Sequence, residues 1–272
     1  MFFNINRPLI MGILNITPDS FSDGGKYAGL DSALQQVELM LSEGADIIDI
    51  GGESTRPGAE TVSSDMQIQR VVPVILAIRQ VAQNILISID TTSSAVAKAA
   101  LDAGANIIND VSGGRADPAI LTLAAKTGAP IILMHSPERS KTMQDNPHYE
   151  QVVQEVIEAL NDNITAALKA GVKKEHIAID PGIGFGKRKQ DNLDLLAHLD
   201  SLVALGFPVL LGTSRKRFMG TICDVSEPSE LVTATAVTTA LGVMAGVQMF
   251  RVHDVKENRQ AADVAWAIKQ CR

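Results

Sequence analysis

The sequence predicts one α/β domain, residues 1–272, folded as a (β/α)8 barrel (a TIM barrel) with its functional site at the carboxyl ends of the strands. Eight short runs rich in Ile, Val and Leu recur along the chain. They lack alternation of polar and apolar residues, which is typical of parallel strands buried on both faces. A segment with helical spacing follows each run. The length of 272 residues also suits one barrel, since such domains usually need about 250 residues.

The predicted strands and helices alternate from end to end. The strands are predicted at residues 9–16, 46–50, 85–89, 106–109, 130–134, 177–180, 208–211 and 248–252. The helices are predicted at residues 31–42, 66–81, 94–103, 118–126, 151–170, 193–199, 230–245 and 256–269. No linker, low-complexity segment or block of charge interrupts this order, so we expect a single domain.

Cap residues mark the predicted helix boundaries. Four side chains that can cap a helix start are Ser32, Ser94, Asp117 and Ser229. Five glycines follow predicted helix ends, namely Gly44, Gly104, Gly128, Gly171 and Gly206. The repeated order of helix, glycine and strand favours the closed barrel over a doubly wound open sheet. An open sheet of that kind should carry a dinucleotide fingerprint after its first strand, and the sequence has none there.

Composition excludes several classes of protein. The net charge of -7 argues against a nucleic-acid partner, because non-specific affinity for nucleic acid depends on Lys and Arg neutralising phosphates. Cys223 and Cys271 stand alone, which indicates neither a zinc site nor a disulfide framework. Asn4, Asn6 and Arg7 interrupt the apolar opening before a signal-peptide core could form, and no apolar run approaches about 18 residues. We therefore expect a cytoplasmic protein without a membrane partner.

Polar side chains follow nearly every predicted strand. A barrel gathers the carboxyl ends of its strands at one mouth, so these residues should converge. They are Asn15, residues 51–56, Asp90, Asn109, Asp110, His135, Asp180, Ser214, Arg215, Lys216, Arg251 and His253. Any one of them alone could be a helix cap or a surface residue, but caps do not explain the concentration at one end.

The chemistry of these residues indicates a flat, nitrogen-rich ligand. Asp90, Asn109 and Asp180 are short groups, mostly acceptors, that can receive the N–H edge of a planar, amidine-like heterocycle. Lys216 and Arg251 can donate to a carbonyl oxygen, a ring nitrogen or a phosphate, and a guanidinium can also stack on a ring. For the carboxylates, a metal cluster and helix capping are the alternatives.

An anion site is predicted beside the heterocycle site. Arg251 and His253 follow the eighth strand and Asn15 follows the first, and these strands are neighbours once a barrel closes. The first strand also runs into a polar, glycine-ended loop, residues 15–25, which could hold an anion or a metal.

The glycine-rich segment DPGIGFGK, residues 180–187, is not a nucleotide loop. It has neither the GxGxxG spacing nor the Walker spacing. Its three glycines are expected to let the loop turn sharply and present Phe185 to the mouth, as a flat aromatic ligand would require.

The ordered motifs resemble those of bacterial dihydropteroate synthases from end to end. They are GILNITPDSFSDGG, DIGGESTRPGA, SIDT, INDVSGG, LMH, IDPGIGFGK, LLGTSRKRF and RVHDV. The resemblance implies a pterin-binding barrel that joins 6-hydroxymethyl-7,8-dihydropterin pyrophosphate to 4-aminobenzoate, giving 7,8-dihydropteroate and pyrophosphate in folate biosynthesis. It further implies Mg²⁺, inhibition by sulfonamides and a homodimer formed through the later helices.

The resemblance also implies roles for particular residues. The dihydropterin would be bound by Asp90, Asn109, Asp180, Lys216 and Arg251, with Met134 and Gly212 also in the substrate site. The pyrophosphate would be held by Asn15, Arg251 and His253, with Mg²⁺ at Asn15. Mobile loops would close over the mouth with Phe21, Asp23, Thr55, Arg56 and Pro57. The aminobenzoate slot would be lined by Phe185, Ser214 and Lys216. The residues implied in catalysis are Asp23, Lys216, Arg251 and His253.

In this family the pyrophosphate would depart early and leave a cationic methylene conjugated to the pterin, which the amine then attacks. No covalent enzyme nucleophile is needed. Two alternatives remain open: a pterin-binding methyltransferase barrel, which has no use for the Arg251 and His253 anion site, and a non-catalytic paralogue that keeps the barrel as a binding protein.

Overall fold

The computed structural model describes residues 7–16, 25–53, 62–137 and 147–271, and these form a parallel barrel surrounded by helices. The strands β1 to β8 are Leu9–Asn15, Ile47–Gly51, Leu86–Asp90, Ile107–Asp110, Ile131–Met134, Ile177–Asp180, Leu210–Leu211 and Met249–Val252. All pair in parallel in the order β6-β5-β4-β3-β2-β1-β8-β7. A bridge between Ile179 and Val209 joins β6 to β7 and so closes the barrel. The predicted fold class is confirmed.

Ten α-helices are present in the described part of the chain. The helices α1 to α10 are Gly25–Ser42, Ser64–Val81, Ser94–Asp102, Ala119–Thr127, Val152–Lys169, Lys189–Ala197, Leu199–Val203, Arg217–Cys223, Val232–Ala245 and Val255–Gln270. Short 3-10 turns at Lys174–His176 and Pro228–Glu230 precede β6 and α9.

The glycine signals are confirmed, whereas three of the four helix-start signals are wrong. The glycines after predicted helix ends have φ between 73° and 112°, a backbone region that favours glycine, and they are Gly44, Gly104, Gly128, Gly171 and Gly206. Ser32 lies inside α1, and Ser229 lies in a 3-10 turn before α9. The cap of α3 is Ser93, whose Oγ accepts from the Val96 N–H, rather than Ser94. Asp117 does act at a helix start, because its Oδ1 accepts from the Ala119 N–H at 3.2 Å.

The barrel interior changes from apolar to polar along the strands. Its lower layer consists of buried apolar side chains from seven strands, namely Met11, Ile47, Ile107, Ile132, Ala178, Leu210 and Met249. Strand side chains alternate between the two faces, so the residue two positions later points inward again. At that next level the chain presents Ile13, Asp49, Asn109, Met134, Asp180, Gly212 and Arg251, of which four are polar or charged. The same strands therefore hold the core and display the polar groups of the mouth.

Two further features bear on the sequence predictions. In the described part of the chain, no helix is both long enough and apolar enough to cross a membrane. Cys223 and Cys271 are free thiols, and both are exposed.

Candidate active site

Arg251 lies at the centre of the barrel mouth between two carboxylates. Its Nε donates to Asp49 Oδ2 at 2.6 Å, and its Nη2 donates to Asp90 Oδ2 at 2.7 Å. Asn109 Nδ2 lies 3.4 and 3.3 Å from the two carboxylate oxygens of Asp49. Burial alone would lower the pKa of Arg251, but the carboxylates of Asp49 and Asp90 outweigh burial and raise it. The guanidinium is therefore a permanent cation that joins β8 to β2 and β3.

Asp49 is a site residue that was not predicted from the sequence. It lies within the apolar run of β2 and is fully buried. A signal was present, because a carboxylate inside a strand buried on both faces needs a cation or hydrogen-bond donors. Asp49 also lies on the same face as Gly51, two positions nearer the bottom of the barrel.

Asp180 ends β6 with a buried carboxylate. Its Oδ1 accepts from the Gly182 N–H at 2.7 Å. Burial raises the pKa of Asp180 to about 6, against the opposing effects of the Gly182 N–H and the cations Lys216 and Arg251. Gly212 lies beside these groups, since a Cβ there would be 3.9 Å from Asp180 Oδ2 and 4.0 Å from Arg251 Cβ. Met134 is buried beside Asp180, its partner across the β5–β6 pair.

Lys216 extends across the glycine-rich loop. Its Nζ lies 4.2 Å from the centroid of the Phe185 ring, which is cation–π distance. Its aliphatic chain packs on Gly184, where an added Cβ would come within 2.9 Å of Lys216 Cδ. Burial and the neighbouring Arg251 lower the pKa of Lys216 to about 8. The expectation that the loop turns sharply agrees with the structure, since Gly182, Gly184 and Gly186 all have positive φ.

Ser214 and His253 form a pair at the end of β8. Ser214 Oγ lies 3.0 Å from His253 Nδ1 and accepts from the His253 N–H at 3.1 Å. Burial, with the nearby cations Arg215 and Arg251, lowers the pKa of His253 to about 4. The imidazole is therefore neutral at physiological pH. When the Ser214 hydroxyl donates to Nδ1, the imidazole carries its proton on Nε2, which is then a donor for an anion.

Arg215 adopts an uncommon backbone conformation between two site residues. Its φ of 58° lies in the left-handed region. Its guanidinium is paired with Asp254 at 2.5 and 3.0 Å, and its N–H donates to Thr235 Oγ1 at 3.2 Å. Non-glycine residues keep such a conformation only where their surroundings impose it. This turn carries Ser214 toward His253 and Lys216 toward Phe185, and no sequence pattern predicts it.

Asn15 lies at the rim of the mouth. It ends β1 opposite Gly51 and is exposed. A Cβ on Gly51 would lie 3.5 Å from Asn15 Oδ1 and 3.7 Å from Asp90 Cβ, so the missing side chain leaves a gap between these two residues. Phe21, Asp23, Thr55, Arg56 and Pro57 were also predicted for the site and lie outside the described residues.

Six ionisable side chains influence one another across the mouth, and we call them the six-charge network. Three are acidic and three are basic: Asp49, Asp90, Asp180, Lys187, Lys216 and Arg251. Their formal charges cancel. The arrangement can bind a neutral, polar, planar molecule through carboxylate acceptors on one side and cationic donors on the other.

Known proteins resemble this chain in both sequence and fold. Residues 11–253 match the family described as pterin binding enzyme. A dihydropteroate synthase of Streptococcus pyogenes serotype M6 is 50% identical over 94% of this chain and 93% of that protein. A Clostridium difficile dihydropteroate synthase, solved in the presence of pteroic acid, has a TM-score of 0.90 and 44% identity over 97% of both chains.

Two further solved structures carry ligands. A Yersinia pestis dihydropteroate synthase with a sulfonamide drug complex has a TM-score of 0.90 and 43% identity over 97% of this chain and 95% of that one. A Xanthomonas albilineans dihydropteroate synthase with 4-aminobenzoic acid has a TM-score of 0.89 and 44% identity over 97% and 94% of the two chains.

Proposed function

This chain belongs to the pterin-binding enzyme family, as a dihydropteroate synthase, and we propose that its six-charge network binds the dihydropterin substrate of that reaction. The enzyme is a transferase that joins 6-hydroxymethyl-7,8-dihydropterin pyrophosphate to 4-aminobenzoate and releases pyrophosphate, giving 7,8-dihydropteroate. The observation that carries the site assignment is the convergence of Asp90, Asn109 and Asp180 around Arg251 and Lys216 at the carboxyl ends of the strands.

The pterin edge is matched by the acceptors of the pocket. Asp180 is a buried carboxylate facing the mouth, so two adjacent N–H groups of a pterin would satisfy it. Asn109 and Asp90 are partners across the β3–β4 pair and extend this acceptor edge. Lys216 would donate to the ring oxygen and a ring nitrogen. Arg251 would turn its planar face to the ring.

The anionic tail would lie near Asn15, Arg251 and His253. Neutral His253 offers its Nε2–H, and Arg251 adds a fixed positive charge. In the described part of the chain, no cluster of three or more His, Cys, Asp or Glu side chains is placed to hold a metal. Mg²⁺ does not need such a cluster, because it commonly binds one or two protein oxygens with substrate phosphates and water. The exposed Asn15 side-chain oxygen is a ligand of that kind, so these residues fit Mg²⁺.

We propose that the C–O bond to pyrophosphate breaks before the new C–N bond forms. The bonding electron pair leaves with the pyrophosphate oxygen, and the methylene becomes a cation conjugated with the pterin. Bound at Asn15, Mg²⁺ would neutralise charge on the leaving oxygens. The carboxylates of Asp90 and Asp180 stabilise the positive charge on the ring by their fixed field. The aminobenzoate nitrogen supplies the electron pair of the new bond and then loses a proton, so no covalent intermediate with the enzyme is required.

The aminobenzoate slot is assigned to the face of Phe185, with Ser214 and the chain of Lys216. Sulfonamides would compete for the same slot. Phe21, Asp23, Thr55, Arg56 and Pro57 would complete it from loops that close over the mouth, and Asp23 would add a further carboxylate near the cation.

Release of pyrophosphate that depends on added aminobenzoate is the decisive measurement. A dihydropteroate synthase releases one pyrophosphate for each dihydropteroate formed and releases little without the amine. A methyltransferase barrel would bind the pterin without this release, and a non-catalytic paralogue would show neither activity. The measured rate therefore separates all three functions.

We predict that pyrophosphate with Mg²⁺ raises the affinity for aminobenzoate by about 5- to 150-fold, a coupling of about 1–3 kcal/mol. If the slot is completed only when loops close over the anion, few free enzyme molecules are competent to bind aminobenzoate, and the apparent affinity falls in proportion. Equilibrium titration of aminobenzoate or a sulfonamide, with and without pyrophosphate, measures the gain.

His253→Ala is the matched variant for this coupling. It weakens the anion site and leaves Phe185 in place, so the gain from pyrophosphate should shrink while the affinity of the free enzyme changes little. The same aminobenzoate affinity with and without pyrophosphate in the wild type would show that the slot is preformed.

We also propose a homodimer formed through α9 and α10. These helices lie side by side and expose apolar side chains on a common face: Val237, Leu241, Val264 and Ile268, each between 53% and 62% exposed. A contiguous apolar face of this kind typically marks a protein interface. A second copy of the chain placed on this face would bury all four.

The free cysteines Cys223 and Cys271 support the proposed cytoplasmic location.

Leu241→Glu combined with Val264→Glu should convert the dimer to a monomer, because each glutamate would be buried without a cation at the interface. Sedimentation equilibrium gives the mass directly. Leu76→Glu is the control, since Leu76 is 49% exposed on α2, away from this face, and should leave the mass unchanged. A wild-type protein that sediments as a monomer at micromolar concentration would refute the proposal.

A further inference from the structure

Lys187 is a buried member of the six-charge network to which the proposed chemistry assigns no contact with either substrate. Only 5% of the residue is exposed, although it follows a loop at the barrel rim. Its Nζ lies 2.9 Å from Gly182 O, 3.1 Å from Phe185 O and 2.9 Å from His135 Nδ1. An ammonium has three N–H donors, and here each has an acceptor. Burying a charged group is costly unless it is fully hydrogen-bonded, so this arrangement indicates a specific role.

The three acceptors belong to two loops. Gly182 and Phe185 lie in the loop after β6, and His135 directly follows β5. The loops are already in close contact, because a Cβ on Gly182 would lie 1.8 Å from the His135 carbonyl oxygen. His135 is neutral, since burial and the charge of Lys187 lower its pKa to about 3, so its Nδ1 can accept from the ammonium.

The loop held by Lys187 carries a wall of the site. The ring of Phe185 faces the Lys216 ammonium at 4.2 Å, and the chain of Lys216 packs on Gly184. Three residues with positive φ, Gly182, Gly184 and Gly186, give this segment few intrinsic restraints. Without the ammonium, the carbonyls of Gly182 and Phe185 would lose their shared donor. The Phe185 N–H to Gly182 O bond and the Gly184 N–H to Asn192 Oδ1 bond would remain, so the ring would be held less firmly.

We propose that Lys187 is a positioning residue that fixes the loop after β6 so that the Phe185 ring forms a rigid wall of the aminobenzoate slot. This inference rests on the proposed function of Phe185. Asp180 lies in strand β6 rather than in the loop, so the effect of Lys187 should fall on aminobenzoate more than on the pterin.

Lys187→Met tests this role, since methionine fills similar volume and removes all three donors. We expect the KM for aminobenzoate to rise about 10-fold or more, as loss of hydrogen bonds to a charged group would produce, with the pterin KM changed less than about 3-fold. Lys189→Met removes the same charge from an exposed position two residues later and should behave as wild type. Lys187→Gln keeps donors without the charge and should lie between wild type and Lys187→Met.

Phe185→Ala and the double variant with Lys187→Met complete the test. Because Lys187 acts through Phe185, the aminobenzoate KM of the double variant should match that of Phe185→Ala alone. An unchanged aminobenzoate KM in both Lys187 variants overturns the proposal. So does a fall in kcat with both KM values unchanged, which would mean only that fewer molecules fold. If Lys187→Met does not fold, the comparison of Lys187→Gln with wild type decides.

Failure of the proposed function would be recognised separately. A wild-type protein without aminobenzoate-dependent pyrophosphate release would refute the enzyme assignment. An active wild type with a normal KM in Phe185→Ala would refute the slot. An effect in Phe185→Ala with none in either Lys187 variant would refute the role of Lys187 alone.

Discussion

Asp180→Asn is expected to raise the dissociation constant for the dihydropterin pyrophosphate by about 30- to 1000-fold while the barrel stays folded. The Asn carbonyl oxygen can still accept the hydrogen bond from the Gly182 N–H. The new amide N–H₂ would then point at the ring N–H groups and the Lys216 ammonium. Losing a charged acceptor and leaving buried donors unpaired should cost about 2–4 kcal/mol. Calorimetric titration measures the loss, and circular dichroism checks the fold. Wild-type affinity would mean that Asp180 only supports the turn at Gly182.

The pH dependence provides a control on this expectation. The pKa of Asp180 is raised to about 6, and ring N–H donors bind the ionised carboxylate. The affinity for the pterin should therefore reach its full value well above pH 6. It should fall as the pH drops below about 6, because binding must then displace a proton from Asp180. Lys187, Lys216 and Arg251 face this carboxylate. Burial lowers the pKa of Lys187 to about 7 and that of Lys216 to about 8, so all three are largely cationic below pH 6. Asp180→Asn should abolish the pH dependence, and a pH-dependent variant would point to another group.

Arg251→Met is expected to abolish activity and to destabilise the fold by about 3–5 kcal/mol, because it leaves the buried carboxylates of Asp49 and Asp90 without their cation. Urea unfolding measures the stability, and pyrophosphate release measures the activity. The loss of stability should be larger at pH 8 than at pH 5, where protonation can neutralise a stranded carboxylate.

The double variant Asp49→Asn with Arg251→Met separates the two effects. It removes one stranded charge and should recover part of the stability but no activity. Arg251→Lys keeps the charge without the planar fork, so it should retain more stability than activity. An Arg251→Met protein as stable as wild type would contradict the ion pairs described here.

Periodicity and glycine placement made the fold predictable. A strand buried on both faces needs a continuous apolar run, and a helix that turns directly into a strand commonly ends at a glycine with positive φ, so both features are visible in the local sequence. The eight predicted strands overlap the eight observed ones. The short helix Arg217–Cys223 was not predicted, because its seven residues are too few for helical periodicity to show.

The site was predictable in part, for a different physical reason. Strand-end positions identify which side chains reach the mouth, and Asp90, Asp180 and Arg251 follow from that rule alone. Their partners are set by tertiary contacts: Arg251 pairs with Asp49 across 202 residues of sequence and with Asp90 across 161. The backbone of Arg215 depends on Asp254 and Thr235 in the same way. A local sequence pattern cannot predict such pairings, because the partners lie far apart in the sequence.

The cancelling charges of the six-charge network bear on how the substrate is recognised. A neutral pterin ring can exchange hydrogen bonds with Asp180 and Lys216 without altering the net charge of the pocket. The pyrophosphate tail would add negative charge to the pocket, and Arg251, the network cation proposed to lie near the tail, already pairs with Asp49 and Asp90. If the tail binds together with the proposed Mg²⁺, the ring is selected by shape and donor pattern while the tail is selected by charge. The pterin ring and the pyrophosphate of one substrate would thus be recognised by two independent criteria. Only a molecule that satisfies both would be bound with its C–O bond in position to break.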